Sequence, residues 1–80
     1  MRLTPHLQQR LVERNLPLEW IERVLHHPTR RYVQRDGRIR HWGYIAEIDQ
    51  YLRVVTEADR ETVVTVFIDR HFTGGKGQRN

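Results

Sequence analysis

Two neighbouring runs of β-branched and aromatic residues constrain the fold of this chain most. They are QYLRVVT at 50–56 and ETVVTVFID at 61–69, joined by the polar residues 57–60. Runs of this composition are typical of strands, and a short polar connection predicts that the two strands pair as an antiparallel hairpin. Successive side chains of a strand point to opposite faces, so each strand has one core face. The residues predicted on that face are Leu52, Val54, Val64, Val66 and Ile68.

Two helices are predicted before the sheet. Thr4 is expected to cap the first helix, in which Pro5 takes the first position and which runs to about Arg14. A second helix is expected from Pro17 to about residue 27, because the proline at position 28 then stops it. Leucines at 3, 7 and 11 form the apolar stripe of the first helix.

A second hairpin is predicted between the helices and the 50–69 hairpin. Residues 31–35 read as a strand, Asp36-Gly37 as a tight turn and residues 38–45 as the returning strand. If Ile39 and Ile45 face the core, His41 does so too. The sequence therefore predicts an α+β fold of order ααββββ, with two N-terminal helices packed on a four-stranded antiparallel sheet.

Length and composition limit the classes of function. Eighty residues predict one domain over residues 1–72, followed by a flexible C-terminal tail at 73–80. The absence of cysteine excludes thiolate metal sites and cysteine nucleophiles, and no metal or other cofactor is expected. No apolar run is long enough for a membrane span, so a cytoplasmic location is expected. The formal charge of +4 favours RNA or an acidic protein as partner.

The face of the sheet opposite the core is the first candidate site. Aromatic rings there could stack on bases and arginines could bind phosphates, and the same residue types suit a protein partner. The candidate RNA-binding residues are Arg38, Arg40, Trp42, Tyr44, Tyr51 and Phe67, beside Arg53 and Thr65.

A second candidate cluster lies where the first helix is expected to meet the sheet. It contains His6, Arg10 and, if the strands face as predicted, His41. An imidazole can move protons near neutral pH and a guanidinium can stabilise a charged phosphorane, which together allow RNA cleavage without a metal. Arg14 has two interpretations, an internal ion pair with a carboxylate such as Asp69 or a phosphate contact.

The N-terminal half and the strands also resemble a known family. The residues that carry the resemblance are Thr4-Pro5-His6, Arg10, Glu13-Arg14-Asn15-Leu16, His27-Pro28, Tyr51-Leu52-Arg53-Val54-Val55 and Val63-Val64-Thr65-Val66-Phe67. Over residues 3 to 69 they resemble a family of small bacterial domains of unknown function. That family has been grouped with RelE-like ribonuclease toxins, in the superfamily that includes barnase, EndoU and colicin nucleases.

The resemblance implies a RelE-like fold and metal-independent RNA cleavage. It nominates His6 and Arg10 on the helix, and Arg53 and Thr65 on the strands, as catalytic residues. The expected partners are RNA, free or on the ribosome, and a cognate antitoxin protein, with no membrane. Asn15 replaces the usual glycine of the family, at a position where asparagine is tolerated.

The leading hypothesis is therefore an endoribonuclease, with the toxin of a toxin–antitoxin pair as one form of that activity. In it Arg10, Arg40 and Arg53 hold the phosphate. Either His6 or His41 transfers protons, and Trp42 or Tyr51 stacks a base. The alternatives are a non-catalytic module that binds RNA or an acidic protein, and a degenerate toxin fold retained for protein interaction.

Overall fold

In the computed structural model, which describes residues 1–73, two helices precede a four-stranded sheet. The elements are α1 (Pro5–Glu13), α2 (Leu18–His26), β1 (Arg30–Val33), β2 (Ile39–Ile45), β3 (Gln50–Thr56) and β4 (Val63–Asp69). The strands lie in the order β1-β2-β3-β4, and each neighbouring pair is antiparallel. The predicted α+β architecture is confirmed. The flexible tail predicted at 73–80 lies, apart from Thr73, outside the described residues.

Local signals set the ends of the helices. The Thr4 hydroxyl accepts a hydrogen bond from the Leu7 N–H at 3.1 Å, as the capping prediction requires, and Pro5 follows it at the first helical position. Asn15 adopts the left-handed conformation, with φ of 57°, and turns the chain toward α2. Within residues 1–73 no helix is long and apolar enough to cross a bilayer.

The main core lies between the helices and one face of the sheet. Gly43 of β2 allows α2 to approach closely, since a Cβ at this position would lie 2.8 Å from Val24 Cγ2. The buried members of the core are Leu7, Leu11, Leu16, Ile21, Val24, Ile45, Leu52, Val54, Val63 and Val66. Ile39 and His41 are also buried, as predicted for that face of β2.

A β-bulge in the last hairpin corrects one part of the predicted facing. Val55 pairs with Thr65 but Thr56 pairs with Val63, so Val64 is an extra residue in β4. Val63 is therefore 2% exposed in the core, whereas Val64, predicted there, is only half-buried. The other predicted core positions in this hairpin keep their side.

Candidate active site

A small cleft lies between α1 and β4. Its volume is about 140 Å³. A cleft of this size admits several waters or a small charged group. The residues that line it are Thr4, His6, Leu7, Arg10, Leu11, Arg14, Val64, Thr65 and Val66.

The geometry of α1 explains why its polar side chains converge on this cleft. His6, Arg10 and Arg14 recur every four residues, so they lie above one another along one side of the helix. The neighbouring stripe carries Leu7 and Leu11, which are buried and hold α1 against the sheet. The cleft therefore forms where a basic stripe meets the edge strand of the sheet.

The cleft is electrostatically suited to an anion. The Arg14 Nη1 atom donates to the Val66 carbonyl at 3.5 Å. Among the ion pairs within residues 1–73, none joins a carboxylate to His6, Arg10 or Arg14. Cationic side chains without a protein counter-charge favour a bound phosphate or carboxylate.

The predicted ion pair between Arg14 and Asp69 is wrong. The Asp69 side chain lies on the opposite face of the sheet, where its Oδ2 accepts hydrogen bonds from Trp42 Nε1 at 2.9 Å and from Arg53. Arg14 bonds the main chain of β4 instead, because α1 covers the sheet edge at that point. Its guanidinium is thereby left at the cleft.

Two predicted catalytic residues, His6 and Arg10, line the cleft, and a third, Thr65, meets them from β4. Both α1 side chains are exposed. Thr65 is half-buried, and it pairs with Val55 of β3. Alternation along β4 therefore directs its side chain to the sheet face of Arg53 and Phe67, away from α1, so the strand contributes the Thr65 backbone to the cleft.

His41, predicted to share this cluster, lies elsewhere. It is fully buried beneath α2, with its Nδ1 atom 3.1 Å from Arg31 Nε and its Nε2 atom 2.9 Å from Thr56 Oγ1. Burial, assisted by the positive charges of Arg31 and Arg60, lowers the pKa of His41 to about 4. A substrate cannot reach this imidazole, so the sequence-based assignment of His41 to catalysis is corrected to a structural role.

Arg53 is likewise drawn away from the cleft. Its Nη2 and Nε atoms lie 2.9 Å and 3.2 Å from Asp69 Oδ2, and its guanidinium lies 4.5 Å from the centroid of the Phe67 ring. Burial opposes ionisation of Asp69, but hydrogen bonds from Trp42, Arg53 and the His71 N–H hold the pKa of Asp69 below its usual value. Arg53 thus neutralises a buried carboxylate, and its removal would leave Asp69 without a counter-charge.

The family model of a domain of unknown function, DUF4258, matches residues 3–68. The chain belongs to this family. The match confirms the predicted resemblance to a small domain of unknown function, while the grouping with RelE-like ribonucleases stays a prediction. No curated protein and no solved structure gives a significant match.

In this DUF4258 domain the matched range contains every residue that lines the α1–β4 cleft. The family is therefore defined over the elements that build the cleft, from the cap of α1 to the middle of β4. The matched range also spans the other helix and strands, so it does not single out the cleft. The family description adds no activity of its own.

The sheet face predicted to be open is partly closed in this DUF4258 domain. Trp42 is 7% exposed, and its ring stacks on Phe72 with centroids 4.8 Å apart and an interplanar angle of 9°. Tyr51 packs edge-to-face against Phe72 at 5.0 Å. Trp42 is therefore engaged inside the protein, which corrects its assignment as a base-stacking residue. Phe67 is half-buried, with the Arg53 guanidinium over its ring. Phe72 had no predicted role. Its one signal in the sequence is an aromatic ring that follows a strand whose outer face is rich in aromatic residues.

The remaining open-face candidates have internal partners but keep exposed surface. The Tyr44 hydroxyl donates to Asp49, which raises the pKa of Tyr44, and 44% of this residue is exposed. Arg38 Nε lies 3.4 Å from Glu57 Oε1, and Arg40 Nε donates to Gln34 Oε1 at 2.8 Å. These residues do not join the cleft. Within residues 1–73, no group of three or more His, Asp or Glu side chains is arranged to hold a metal ion.

Proposed function

We propose that this DUF4258 domain is a metal-independent endoribonuclease whose catalytic site is the α1–β4 cleft. The observation that supports the proposal most is the convergence of His6, Arg10 and Arg14 on one small cleft, where none of the ion pairs within residues 1–73 supplies a counter-charge. Histidine and arginine are the residue types that metal-free RNA cleavage requires, because the reaction needs proton transfer and stabilisation of extra negative charge.

In the proposed reaction the imidazole of His6 accepts the proton of a ribose 2′-hydroxyl. The 2′-oxygen attacks the adjacent phosphorus, and the bond from phosphorus to the 5′-oxygen breaks, which yields a 2′,3′-cyclic phosphate and a 5′-hydroxyl end. The departing 5′-oxygen takes a proton from a solvent water on the opposite side of phosphorus, and the imidazolium of His6 returns its proton to solvent. Proton transfer of this kind contributes roughly a hundredfold to ten-thousandfold in rate.

The two arginines bind the phosphate and its transition state in this proposal. Arg10 lies one helical turn from His6, and Arg14 lies one turn further, anchored through Nη1 to the Val66 carbonyl. A guanidinium can contact two phosphate oxygens at once, so the pair would hold the scissile group while charge builds on it.

The proposal extends to the setting of the reaction. RNA is the substrate, encountered free or on the ribosome in the cytoplasm, and a cognate antitoxin protein would restrain the activity if the domain acts as a toxin. The excess of basic over acidic residues, 14 against 10, supports a polyanionic substrate.

A second candidate function is RNA binding without turnover. It is favoured by the finding that, among the described residues, a single imidazole lines the cleft, since His41 is buried elsewhere. A binding module would need the arginines of the cleft but no proton transfer. It predicts that loss of His6 leaves RNA affinity nearly unchanged, whereas loss of Arg10 and Arg14 weakens it and reduces its salt dependence.

The test is induction of the protein in bacterial cells, followed by growth and by mapping of RNA ends. Cells permit detection of a nuclease that acts only on the ribosome. His6→Ala and Arg10→Ala are each expected to lower the yield of new 5′-hydroxyl ends by about a hundredfold or more. The matched controls are His27→Ala and Arg35→Ala, which alter exposed residues of the same types outside the cleft.

Growth arrest with new RNA ends in the wild type and both controls, lost in both cleft variants, would support the nuclease. Intact RNA with the wild-type protein would reject it, and RNA retained on the purified protein without shortening would favour the binding module. Circular dichroism of all variants checks that lost activity reflects the cleft and not unfolding.

A further inference from the structure

The β4 edge of the sheet is covered by other parts of the chain, whereas the β1 edge is exposed. At the β4 edge the Arg2 N–H donates to the Glu61 carbonyl at 2.7 Å, and the Val63 N–H donates to the Arg2 carbonyl at 2.9 Å. Further along, Arg14 bonds the Val66 carbonyl and α1 covers the strand. The chain thus satisfies much of this edge itself, which protects it from pairing with other strands.

The β1 edge has no such cover among the described residues. All four residues of β1 are exposed, with Tyr32 at 55% and Val33 at 61%. The Gln34 N–H donates to the Arg38 carbonyl at 2.7 Å, and bonding alternates along an antiparallel pair. The Val33–Ile39 pair lies between two hydrogen-bonded pairs of residues and is itself a non-hydrogen-bonded pair. The N–H and C=O groups of Val33 therefore point away from β2, toward the open edge of the sheet. An added strand would find both a donor and an acceptor there.

The positive charge around the β1 edge favours an acidic partner. Between positions 30 and 42 the sequence has five arginines and one acidic residue, Asp36, whose carboxylate already accepts from the Arg38 N–H. Arg38 pairs with Glu57 and Arg31 is directed at His41, so the net positive charge of this edge comes from the other three, Arg30, Arg35 and Arg40. A second copy of this chain would bring the same arginines into opposition, which is unfavourable across paired strands. An acidic strand would instead meet opposite charge on both sides of its backbone.

We propose that the β1 edge binds an extended acidic segment of a partner protein by strand addition. The outward main-chain groups of Val33 supply the pairing, Tyr32 and Val33 supply apolar contact on the two faces of the added strand, and Arg30 and Arg35 contact its carboxylates. The site lies at the edge of the sheet opposite the α1–β4 cleft. It is therefore independent of the proposed nuclease activity.

The experiment uses the full-length protein and a short fluorescein-labelled peptide of alternating valine and glutamate, followed by fluorescence anisotropy. Binding is expected for this peptide. Binding is expected to be lost for the same peptide with lysine in place of glutamate, and for one N-methylated at alternate amides, which cannot pair. Hydrogen exchange measured by NMR should show new protection of the Val33 amide and no change at β4.

Two variants and a control locate the binding. Val33→Pro removes an outward donor without removing a bond to β2, and Arg35→Glu reverses a charge on the adjoining turn; each is expected to weaken binding by about tenfold. Arg70→Glu makes the same charge change beyond β4 and should leave the affinity within about twofold. If Val33→Pro does not fold, the affinity of Arg35→Glu and the hydrogen exchange of the Val33 amide still test whether the peptide binds at the β1 edge.

Several outcomes would overturn the inference. Equal binding of the glutamate and lysine peptides would contradict the requirement for an acidic partner. Equal binding of the N-methylated peptide would contradict binding by main-chain hydrogen bonds. Dimerisation of the protein that Val33→Pro abolishes would assign the edge to a second copy. Absence of binding to any peptide would mean that the arginines serve only to keep this edge unpaired.

Discussion

The imidazole of His41 is fully buried, and both of its nitrogens have partners. A guanidinium can only donate, so Nδ1 accepts from Arg31 and the proton of the neutral ring lies on Nε2, which donates to Thr56 Oγ1. The Thr56 hydroxyl in turn donates to the Glu57 carbonyl at 2.8 Å. This continuous chain of hydrogen bonds holds the neutral ring, and protonation would place a second cation beside Arg31.

The pKa of His41 therefore makes stability depend on pH. It is lowered from 6.5 to about 4, so between these values the unfolded chain binds a proton that the folded protein does not. We expect the free energy of unfolding to fall by about 3 kcal/mol as the pH drops through this window, with the full contribution present above pH 6.5. Urea denaturation across this pH range measures it.

Two histidine-to-glutamine variants separate the contribution of His41 to the pH dependence of stability from that of an exposed histidine. His41→Gln should be less stable at neutral pH but should lose most of the pH dependence. His27→Gln, at an exposed histidine just after α2, should keep the pH dependence of the wild type. An unchanged slope in His41→Gln would contradict the assignment.

At the scale of elements, the contact between α2 and β2 depends on the missing side chain of Gly43. The backbone of β2 approaches the helix so closely that an added Cβ would lie 2.8 Å from Val24 Cγ2 and 3.1 Å from Val24 Cα. The second contact is with the helix backbone and cannot be relieved by a rotamer change. α2 itself contributes Ile21 and Val24 to the core at this interface.

Gly43→Ala is expected to lower the free energy of unfolding by about 1 to 3 kcal/mol, because α2 must move away from the sheet to admit the methyl group. Val24→Ala removes the nearest atom, so the cost of Gly43→Ala should be smaller in that background than in the wild type. Denaturant unfolding of the two single variants and the double variant measures this coupling. Strictly additive losses would show that the two residues do not meet.

At the scale of the whole molecule, each face of the sheet has its own cover. The helices and the main core lie on one face, while on the other Phe72 packs on Trp42 and Tyr51, beside the Arg53–Asp69 ion pair. The residues just after β4 thus complete a second, smaller cluster. This arrangement leaves the α1–β4 cleft and the β1 edge at opposite margins of the domain.

Phe72→Ala is expected to expose Trp42 and to lower the free energy of unfolding by about 2 kcal/mol, less than for a fully buried phenylalanine because Phe72 is half-buried. In a Trp20→Phe background, where Trp42 is the sole emitter, its fluorescence should shift to longer wavelength and become more readily quenched by acrylamide. His71→Ala changes the exposed neighbouring residue and should alter neither property. Unchanged emission in Phe72→Ala would mean that the stacking does not shield Trp42.

Features that depend on neighbours along the chain were predictable from the amino-acid sequence. Thr4 and Pro5 mark the start of α1, prolines bound α2, and the β-branched run at 50–56 coincides with β3. These features yielded the order of elements, the antiparallel meander and most of the core. They also placed the basic stripe of α1 correctly, because the period of a helix is fixed by its own backbone. Membership of DUF4258 rests on the same pattern over residues 3–68.

Tertiary structure alone decided which distant groups became partners. Asp69 paired with Arg53 and not with Arg14. The strands β3 and β4 are neighbours, and the Arg53 and Asp69 side chains lie on the sheet face opposite α1. The bulge in β4 places Val63 in the core in place of Val64. It arises from the pairing of β4 with β3, and the residues around it do not predict it. His41 was removed from the candidate site for the same reason, since its burial and its partners come from α2, β1 and β3 together. Charge and residue type are written in the sequence, but the free energy of a buried charge depends on distances that only the packed chain defines.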